Sequence, residues 1–136
     1  MNADKTFVDT NVLIYAFSAD EPEKQRKALQ ALESIRPVIS KQVLKEFVNV
    51  LVKKGSASYD KLKDTIKDIL EITDLVDESV MMILHSLDIQ ERYRFSFYDS
   101  LIIAAALASD CHTLLSEDMQ GGQLIEGRLE IVNPFV

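Results

Sequence analysis

Short apolar runs alternate along the chain with longer stretches in which apolar residues recur at helical spacing. The short runs are rich in β-branched and aromatic residues and predict strands at residues 6–8, 37–39, 74–76, 112–115 and 129–132. The longer stretches predict helices from residue 12 onward and over 23–35, 41–54, 58–72, 79–92 and 100–108. Strands separated by helices indicate a parallel sheet with helices on both faces.

Two of the predicted helices carry features that matter for function. The helix that begins near Ser100 is apolar all round, so we expect it to be the most buried in the domain. The helix over 79–92, capped by Asp77 or Ser79, places an apolar row on one face, namely Val80, Ile83, Leu84 and Leu87. On the same helix, Met81 and Met82 indicate packing or interface positions, and His85 indicates a partly exposed residue rather than a metal ligand.

Composition narrows the class of protein. The 136 residues suit one domain spanning 1–136, and 47% of them are hydrophobic, enough to bury a core. With one cysteine and two histidines the chain has no intramolecular disulfide, and a Cys/His zinc cluster is disfavoured. We therefore expect a reducing, cytoplasmic setting. Residues 1–5 lack the form of a signal peptide, and the longest apolar run, 101–108, is too short to cross a membrane.

The net charge of −7 argues against broad electrostatic capture of nucleic acid. It does not exclude an enzyme that acts on nucleic acid, because acidic residues gathered in a metal site add to the count. Bound divalent cations would reverse the field at such a site.

The first strand ends in a polar group that has two interpretations. Asp9, Thr10 and Asn11 follow the strand directly, and an apolar helix begins at Val12. A carboxylate at the carboxyl end of a buried strand lies where open α/β sheets bind ligands. Asp9 and Asn11 are equally suited to turning the chain or capping the helix.

Three further acids occupy comparable places. Glu46 lies at the edge of the apolar stripe of its helix and faces inward, unless it bends out to water or pairs with a lysine. Asp99 lies in the first turn of the buried helix, where Ser96 and Asp99 also form a capping box. Asp118 follows the 112–115 strand through Ser116 and Glu117, where a turn or helix cap is the alternative.

The four acids together are harder to explain as caps and turns. Residues that follow parallel strands gather at one edge of the sheet, where the carboxylates would repel each other and have raised pKa values unless cations were present. Oxygen ligands without histidine or cysteine favour Mg²⁺ or Mn²⁺. Such ions polarise a phosphoryl oxygen and make hydroxide from water, chemistry that suits phosphodiester hydrolysis.

With these residues in view, the chain resembles the PIN-domain ribonucleases found as VapC toxins of VapBC toxin–antitoxin pairs. The resemblance covers nearly the whole chain in the family's order and spacing. Four motifs carry it: Phe7-Val8-Asp9-Thr10-Asn11-Val12-Leu13, Leu44-Lys45-Glu46-Phe47, Tyr98-Asp99-Ser100-Leu101-Ile102-Ile103-Ala104-Ala105-Ala106 and Leu114-Leu115-Ser116-Glu117-Asp118-Met119.

The resemblance implies a three-layer α/β/α domain with a central, mainly parallel sheet of about five strands. It implies a metal-dependent endoribonuclease that hydrolyses RNA with one or two Mg²⁺ or Mn²⁺ ions, and it implies a cognate antitoxin and a homodimer as partners. The implied catalytic and metal-binding residues are Asp9, Glu46, Asp99 and Asp118.

Several further residues receive roles on the same basis. The resemblance implies that Asn11 and Ser116 orient ligands or water, while the role of Glu117 stays open. Because the chain is more acidic than an RNA-binding protein should be, a few basic residues must hold the substrate backbone. The candidates are Lys41, Lys45, Arg92 and Arg94.

Alternative classes remain open. A receiver-like phosphorylatable signalling module has an acidic Mg²⁺ pocket, but it needs an early acidic pair and a lysine after the last strand, and both are missing here. A haloacid-dehalogenase-like phosphatase needs Asp-x-Asp after the first strand, whereas Asn11 occupies the second position. A binding module of the same fold without activity is disfavoured because all four acids are present.

Overall fold

A computed structural model describes residues 4–136. Residues 1–3 lie outside the described residues, and they begin the segment 1–5 that we expect not to be a signal peptide. The strands are β1 (Lys5–Val8), β2 (Arg36–Ser40), β3 (Asp74–Val76), β4 (Thr113–Leu115), β5 (Leu124–Ile125) and β6 (Leu129–Val132). The helices are α1 (Thr10–Ala16), α2 (Pro22–Glu33), α3 (Lys41–Lys54), α4 (Tyr59–Ile72), α5 (Val80–Tyr93) and α6 (Phe97–Ala108).

The strands form one sheet in the order β3-β2-β1-β4-β6-β5. All neighbouring pairs are parallel except β5 with β6, which confirms the predicted α/β class with a mainly parallel sheet flanked by helices. The sheet has six strands rather than about five. The additional strand is β5, which is only two residues long and follows Gly121-Gly122, a segment whose composition predicts a loop.

The position of β1 determines where a site can form. It lies between β2 and β4, with Val8 level with Leu115 of β4. From β1 the chain proceeds to β2 on one side and later returns to β4 on the other. The strand order therefore changes direction at β1, and open α/β sheets bind ligands at the carboxyl ends of strands beside such a switch.

Serine caps fix the start of four helices. Ser40, Ser58, Ser79 and Ser96 each accept a hydrogen bond from a backbone N–H in the first turn of the helix that follows. This settles the cap of α5 as Ser79, so that the alternative, Asp77, is wrong. No helix in the described part of the chain combines the length and apolar character needed to cross a bilayer.

Helices α5 and α6 differ in burial. Residues 100–107 of α6 are all buried, as predicted. On α5 the buried residues are Ser86 and Ile89, while Val80, Leu84 and Leu87 are 71%, 52% and 51% exposed. The predicted apolar row of α5 therefore faces away from the core. Met81 is exposed beside this row, and Met82 packs against the core.

His85 lies on α5 and is partly exposed, as predicted. Its Nε2 atom lies 2.7 Å from Oε2 of Glu126, in the turn that joins β5 to β6. The pair links α5 to the edge of the sheet.

Candidate active site

The carboxylate of Asp9 is buried at the carboxyl end of β1. Because Val8 is level with Leu115, the residues that follow them, Asp9 and Ser116, are neighbours. The Ser116 hydroxyl donates to Oδ2 of Asp9 at 2.8 Å, and the Thr10 backbone N–H donates to Oδ1 at 2.7 Å. Asp9 is therefore both the N-cap of α1 and a carboxylate at the sheet edge, so the two sequence interpretations hold together.

Asn11 connects Asp9 to the loop after β4. Its amide nitrogen donates to Oδ2 of Asp118 at 3.1 Å and to Oδ2 of Asp9 at 3.4 Å. Its side-chain oxygen accepts the backbone N–H of Glu117 at 3.1 Å. Asp118 itself is exposed. One amide thus holds two carboxylates that are far apart in the sequence.

Glu46 approaches from α3 and is half-buried, as its place on the apolar stripe predicts. Its Oε2 atom accepts the Thr10 hydroxyl at 3.1 Å, and its Oε1 atom accepts the Gln42 amide at 2.7 Å. The carboxylate is neither turned out to water nor paired with a lysine. Its two hydrogen bonds instead hold it toward the end of β1.

Asp99 lies in the first turn of α6 and is half-buried. Its backbone N–H donates to the Ser96 hydroxyl at 3.1 Å, which confirms Ser96 as the cap. The side chain of Asp99 lines the same cavity as Asp9, Glu46 and Asp118. Capping at this helix end and a place in the acidic site are therefore compatible.

The four predicted acids surround one cavity of about 280 Å³, which Thr10 and Asn11 also line. They come from four parts of the chain: the end of β1, the middle of α3, the start of α6 and the loop after β4. We call this set the acidic site.

The acids affect each other electrostatically. Burial raises the pKa of Asp9 to about 6; the hydrogen bonds from Ser116 and Thr10 lower it, and the nearby carboxylates of Asp99 and Glu46 raise it. Burial also raises the pKa of Asp99; the hydrogen bond with Ser96 lowers it, and the nearby carboxylates of Glu46 and Asp118 raise it. The acidic site is therefore costly to ionise in the absence of a cation.

The donor set fits a hard divalent cation. Every candidate ligand is a carboxylate, hydroxyl or amide oxygen, the type that Mg²⁺ and Mn²⁺ prefer. Among residues 4–136 no group of three Asp, Glu, His or Cys side chains is placed so that it could hold a metal ion. Mg²⁺ is usually held by one or two carboxylates together with waters or substrate oxygens, so it does not need three protein ligands.

Glu117 is directed away from the acidic site. Its Oε2 atom lies 2.6 Å from Nζ of Lys24 on α2, and its Oε1 atom accepts the Tyr15 hydroxyl at 2.8 Å. Burial acts to raise the pKa of Glu117, but the hydrogen bonds from Lys24 and Tyr15 and the charge of Lys24 together lower it by more. The pKa of Glu117 therefore lies below its usual range. Glu117 therefore fastens the loop that carries Asp118 to α1 and α2.

Four residues that hold the acids or the loop after β4 are not predicted from the sequence: Thr10, Tyr15, Lys24 and Gln42. Thr10 is one of three polar residues after the first strand, and nothing in that pattern predicts that its hydroxyl donates to Glu46. Gln42 precedes Glu46 by one helical turn, a spacing that places two side chains together and could have shown the contact. No local signal reveals Tyr15 or Lys24, because their partner Glu117 is about a hundred residues away.

Of the four basic candidates, two lie beside the acidic site. Lys41 and Lys45 line a larger cleft of about 890 Å³, which shares Glu46 with the smaller cavity. Arg92 instead lies over the ring of Tyr93, and Arg94 ends α5 with a backbone φ of 67°. Neither arginine lines either cavity.

Comparison with solved structures finds the same fold in toxins. A toxin–antitoxin complex from Klebsiella pneumoniae matches with a TM-score of 0.73 and 26% identity, over 95% of this chain and 97% of that one. VapBC2 from Rickettsia felis, bound to a DNA fragment from its promoter, matches with a TM-score of 0.65 and 18% identity, over 95% and 98%. The Mycobacterium tuberculosis VapC20 toxin, which cleaves the sarcin–ricin loop, matches with a TM-score of 0.66 and 15% identity, over 80% and 86%.

Comparison with curated protein sequences finds no match. The PIN-domain family model matches residues 6–120, a range that contains all four acids and most of the sheet. The match spans well over half of the chain and agrees with the resemblance carried by the sequence motifs. This chain belongs to the PIN-domain family, a family of nucleases.

Proposed function

We propose that this protein is a divalent-metal-dependent endoribonuclease and the toxin of a toxin–antitoxin pair. One observation carries the proposal: Asp9, Glu46, Asp99 and Asp118 line a single cavity at the carboxyl edge of the sheet in a PIN-domain chain. The pKa values of Asp9 and Asp99 are raised, first by burial and then by neighbouring carboxylates, and no lysine, arginine or histidine among residues 4–136 forms an ion pair with any of the four acids. These acids therefore need another source of positive charge. Bound Mg²⁺ or Mn²⁺ would supply that charge, and these ions support the hydrolysis of RNA phosphodiester bonds.

Asp9, Glu46, Asp99 and Asp118 would hold one or two ions. When bound, the metal would supply polarisation of the scissile phosphate and a hydroxide at neutral pH.

The protein's own groups prepare the ligands. Ser116 and Thr10 fix the two oxygens of Asp9, and Asn11 sets the spacing between Asp9 and Asp118. Thr10 and Gln42 hold Glu46 in a similar way. Such supporting hydrogen bonds typically affect metal affinity or activity by about 10–100-fold, and they support the positioning roles proposed for Asn11 and Ser116.

The test is cleavage of a defined set of RNAs by purified protein with Mg²⁺, with Mn²⁺ and with EDTA, compared with Asp99→Asn. The substitution keeps the shape of the side chain and leaves the Ser96 cap in place, but removes one ligand charge. We expect metal-dependent cleavage by the wild type and a loss of at least about 100-fold in the variant.

Asp60→Asn is the matched control. Asp60 also lies in the first turn of a serine-capped helix, α4, and it is exposed and lines neither cavity. Cleavage should be unchanged by Asp60→Asn. Equal cleavage by wild type and Asp99→Asn, or cleavage that persists in EDTA, would contradict the proposal.

The receiver-like alternative is not favoured. A receiver domain has the strand order 2-1-3-4-5, in which the third strand lies beside the first. Here β3 is at the edge of the sheet, beyond β2, and β4 takes the place beside β1. The family match is also to the PIN domain.

The exposed apolar row of α5 supports a homodimer. Val80, Leu84 and Leu87 recur at helical spacing and are each more than half exposed, which is unusual for a surface that faces only water. We propose that a second copy of the chain covers this row.

Sedimentation equilibrium should therefore give the mass of a dimer, and Leu84→Glu should give a monomer. Leu29→Glu, on the exposed side of α2, serves as a control and should leave the dimer intact. A wild-type monomer at high protein concentration would contradict the dimer.

The proposal of an antitoxin partner rests on solved structures that share this fold. Two of the similar structures are toxin–antitoxin complexes, from Klebsiella pneumoniae and Rickettsia felis. Co-expression with the product of the adjacent gene, followed by purification of one component, should recover a stable complex that no longer cleaves RNA. A complex with undiminished cleavage would contradict this assignment.

A further inference from the structure

Three uncharged residues complete the wall of the cavity that holds the acidic site. Besides the four acids, Thr10 and Asn11, the cavity is lined by Ile14 of α1 and by Asn49 and Val50 of α3. Ile14 and Val50 are apolar, whereas Asn49 carries a side-chain amide and is exposed. The wall therefore combines acids with a neutral polar group that a ligand arriving from solvent can reach.

Helix α3 places Asn49 in a row with residues that already serve the acidic site. Gln42, Glu46 and Asn49 are spaced by four and three residues, so they lie on one face of the helix. Gln42 donates to Oε1 of Glu46 at 2.7 Å, and Glu46 and Asn49 line the same cavity. Because the position of Asn49 is fixed by a regular helix rather than by a loop, its amide is held beside a candidate metal ligand.

The other neutral polar groups of the wall are already engaged. The Thr10 hydroxyl donates to one carboxylate of the acidic site, and the Asn11 amide donates to two of them. The Asn49 side chain makes no hydrogen bond with any of residues 4–136. Within this part of the chain, Asn49 is therefore the neutral polar residue of the wall whose side-chain N–H groups stay available to a ligand.

A free amide has a specific use beside four carboxylates. A phosphodiester is an anion with two non-bridging oxygens, and ionised carboxylates only accept hydrogen bonds, so none of the acids can donate to it. A lysine or arginine at this place would pair with the acids and compete with a metal ion for them. An amide donates without adding charge, and asparagine is among the side chains that bind phosphate oxygens in nucleic-acid complexes.

We propose that Asn49 is a substrate-binding residue of the acidic site, with its side-chain amide donating to a non-bridging oxygen of a phosphodiester held there. The inference rests on the proposed nuclease function and adds to it a residue that holds the substrate. Because phosphate oxygens are the same at every nucleotide, this contact should strengthen binding without selecting a base sequence. The contact does not involve the acids, so it can be removed without changing the metal ligands.

Binding can be measured on a small probe without cleavage of RNA. Dimethyl phosphate is a phosphodiester that has neither a base nor a sugar. With the protein in excess over Mn²⁺, dimethyl phosphate that binds beside the protein-held ion should show faster ³¹P relaxation in NMR, and a titration of the probe gives its Kd. We expect Asn49→Ala to raise this Kd about tenfold, because the variant loses one hydrogen bond to a charged group.

Gln30→Ala is the matched control. Gln30 also carries an exposed amide in the interior of a helix, α2, but it lines neither cavity, so the Kd should stay at the wild-type value. Asn49→Asp keeps the shape of the side chain and replaces the donor by a charged oxygen, so it should weaken binding at least as much as Asn49→Ala. Alanine is a better helix former than asparagine, and the Tm of Asn49→Ala should therefore be no lower than that of the wild type.

Kinetics and metal binding give two further readouts. At saturating Mn²⁺, Asn49→Ala should lower kcat/KM for RNA cleavage about tenfold, and by a similar factor for RNAs of different sequence. Gln30→Ala should leave kcat/KM unchanged. In calorimetry, Asn49→Ala should bind Mn²⁺ with the wild-type affinity, which distinguishes a contact with the substrate from a contact with the metal.

The outcomes separate this proposal from the nuclease assignment. Weaker binding of dimethyl phosphate by Asn49→Ala, without RNA cleavage by the wild type, would support the Asn49 contact and contradict the nuclease. Metal-dependent cleavage with an unchanged Kd for dimethyl phosphate in Asn49→Ala would overturn the contact and leave the nuclease intact. Weaker Mn²⁺ binding by Asn49→Ala would also overturn the contact, because Asn49 would then be a metal ligand. Absence of Mn²⁺ binding by the wild type would contradict both proposals.

Discussion

Asp9 and Asp118 follow neighbouring strands of one sheet, yet their carboxylates lie in opposite surroundings. Asp9 is 5% exposed and accepts hydrogen bonds from Thr10, Asn11 and Ser116. Asp118 is exposed and accepts one, from Asn11. Asp9 comes directly after β1, in the middle of the sheet, whereas two residues separate Asp118 from the end of β4.

The difference shows how one sheet edge holds two carboxylates in different ways. Asp9 is held in one place by burial and by its neighbours, at the cost of a raised pKa. Asp118 keeps its access to water and is positioned through Asn11 and through the anchoring of Glu117. We interpret Asp9 as the fixed member of the acidic site, whose carboxylate is held in one position. We interpret Asp118 as its adjustable member, whose carboxylate can change position.

The largest expected effect comes from Asp9→Asn. Loss of the central ligand charge should reduce metal-dependent RNA cleavage by at least about 100-fold, measured as kcat/KM. The loss should persist at raised Mn²⁺ concentration, because no other carboxylate can take the buried position. Recovery of cleavage at high Mn²⁺ would show that Asp9 is not the fixed member.

Asp9 should also make the metal-free protein less stable as pH rises. Its folded pKa is raised to about 6, so between about pH 4 and pH 6 the folded state binds more protons than the unfolded state. The free energy of unfolding in EDTA should therefore fall across this window by up to about 3 kcal/mol, and Asp99 contributes in the same direction.

Urea denaturation at pH 4.5 and pH 7, with and without Asp9→Asn, isolates this contribution. The variant should be similar to the wild type at pH 4.5 and more stable than it at pH 7. A variant that is less stable than the wild type at both pH values would contradict the raised pKa.

Asp118→Asn should have a smaller effect than Asp9→Asn. Because the side chain is exposed and shares its role with water, we expect about a tenfold loss of kcat/KM, largely recovered at higher Mn²⁺. The stability in EDTA should change little at any pH. Equal losses in Asp9→Asn and Asp118→Asn would remove the distinction between the two acids.

Glu117→Gln gives the smallest effect. If Glu117 anchors the loop and does not bind metal, the variant should lose about twofold to fivefold in kcat/KM, and Lys24→Met should have a similar effect. The double variant should be no worse than either single variant, since both remove the same contact. A loss in Glu117→Gln that matches Asp9→Asn, without one in Lys24→Met, would make Glu117 a ligand.

Much of the fold follows from local patterns in the sequence. The strand that ends at Val8, the Ser96 cap and the buried α6 helix are all set by neighbouring residues, so the sequence predicts them. β5 is too short for its two residues to show a pattern. For the apolar row of α5, spacing shows which residues share a face but not whether that face meets the core.

The acidic site divides in the same way. That Asp9 and Asp118 meet was predictable from the sequence, because parallel strands bring their ends together. Glu46 and Asp99 lie on helices, and the family resemblance rather than the strand pattern assigns them to the same site. The separate orientations of Glu117 and Asp118 depend on Lys24 and Asn11, which lie in other elements.

Isothermal titration calorimetry of the purified, RNA-free protein with Mn²⁺ tests the central claim most directly. We predict saturable Mn²⁺ binding by the wild type and by Asp60→Asn, weaker binding by Asp118→Asn, and none detectable for Asp9→Asn or Asp99→Asn. Undiminished binding by Asp9→Asn and Asp99→Asn would contradict the account, because the ion would then be held by residues other than the acids at the sheet edge.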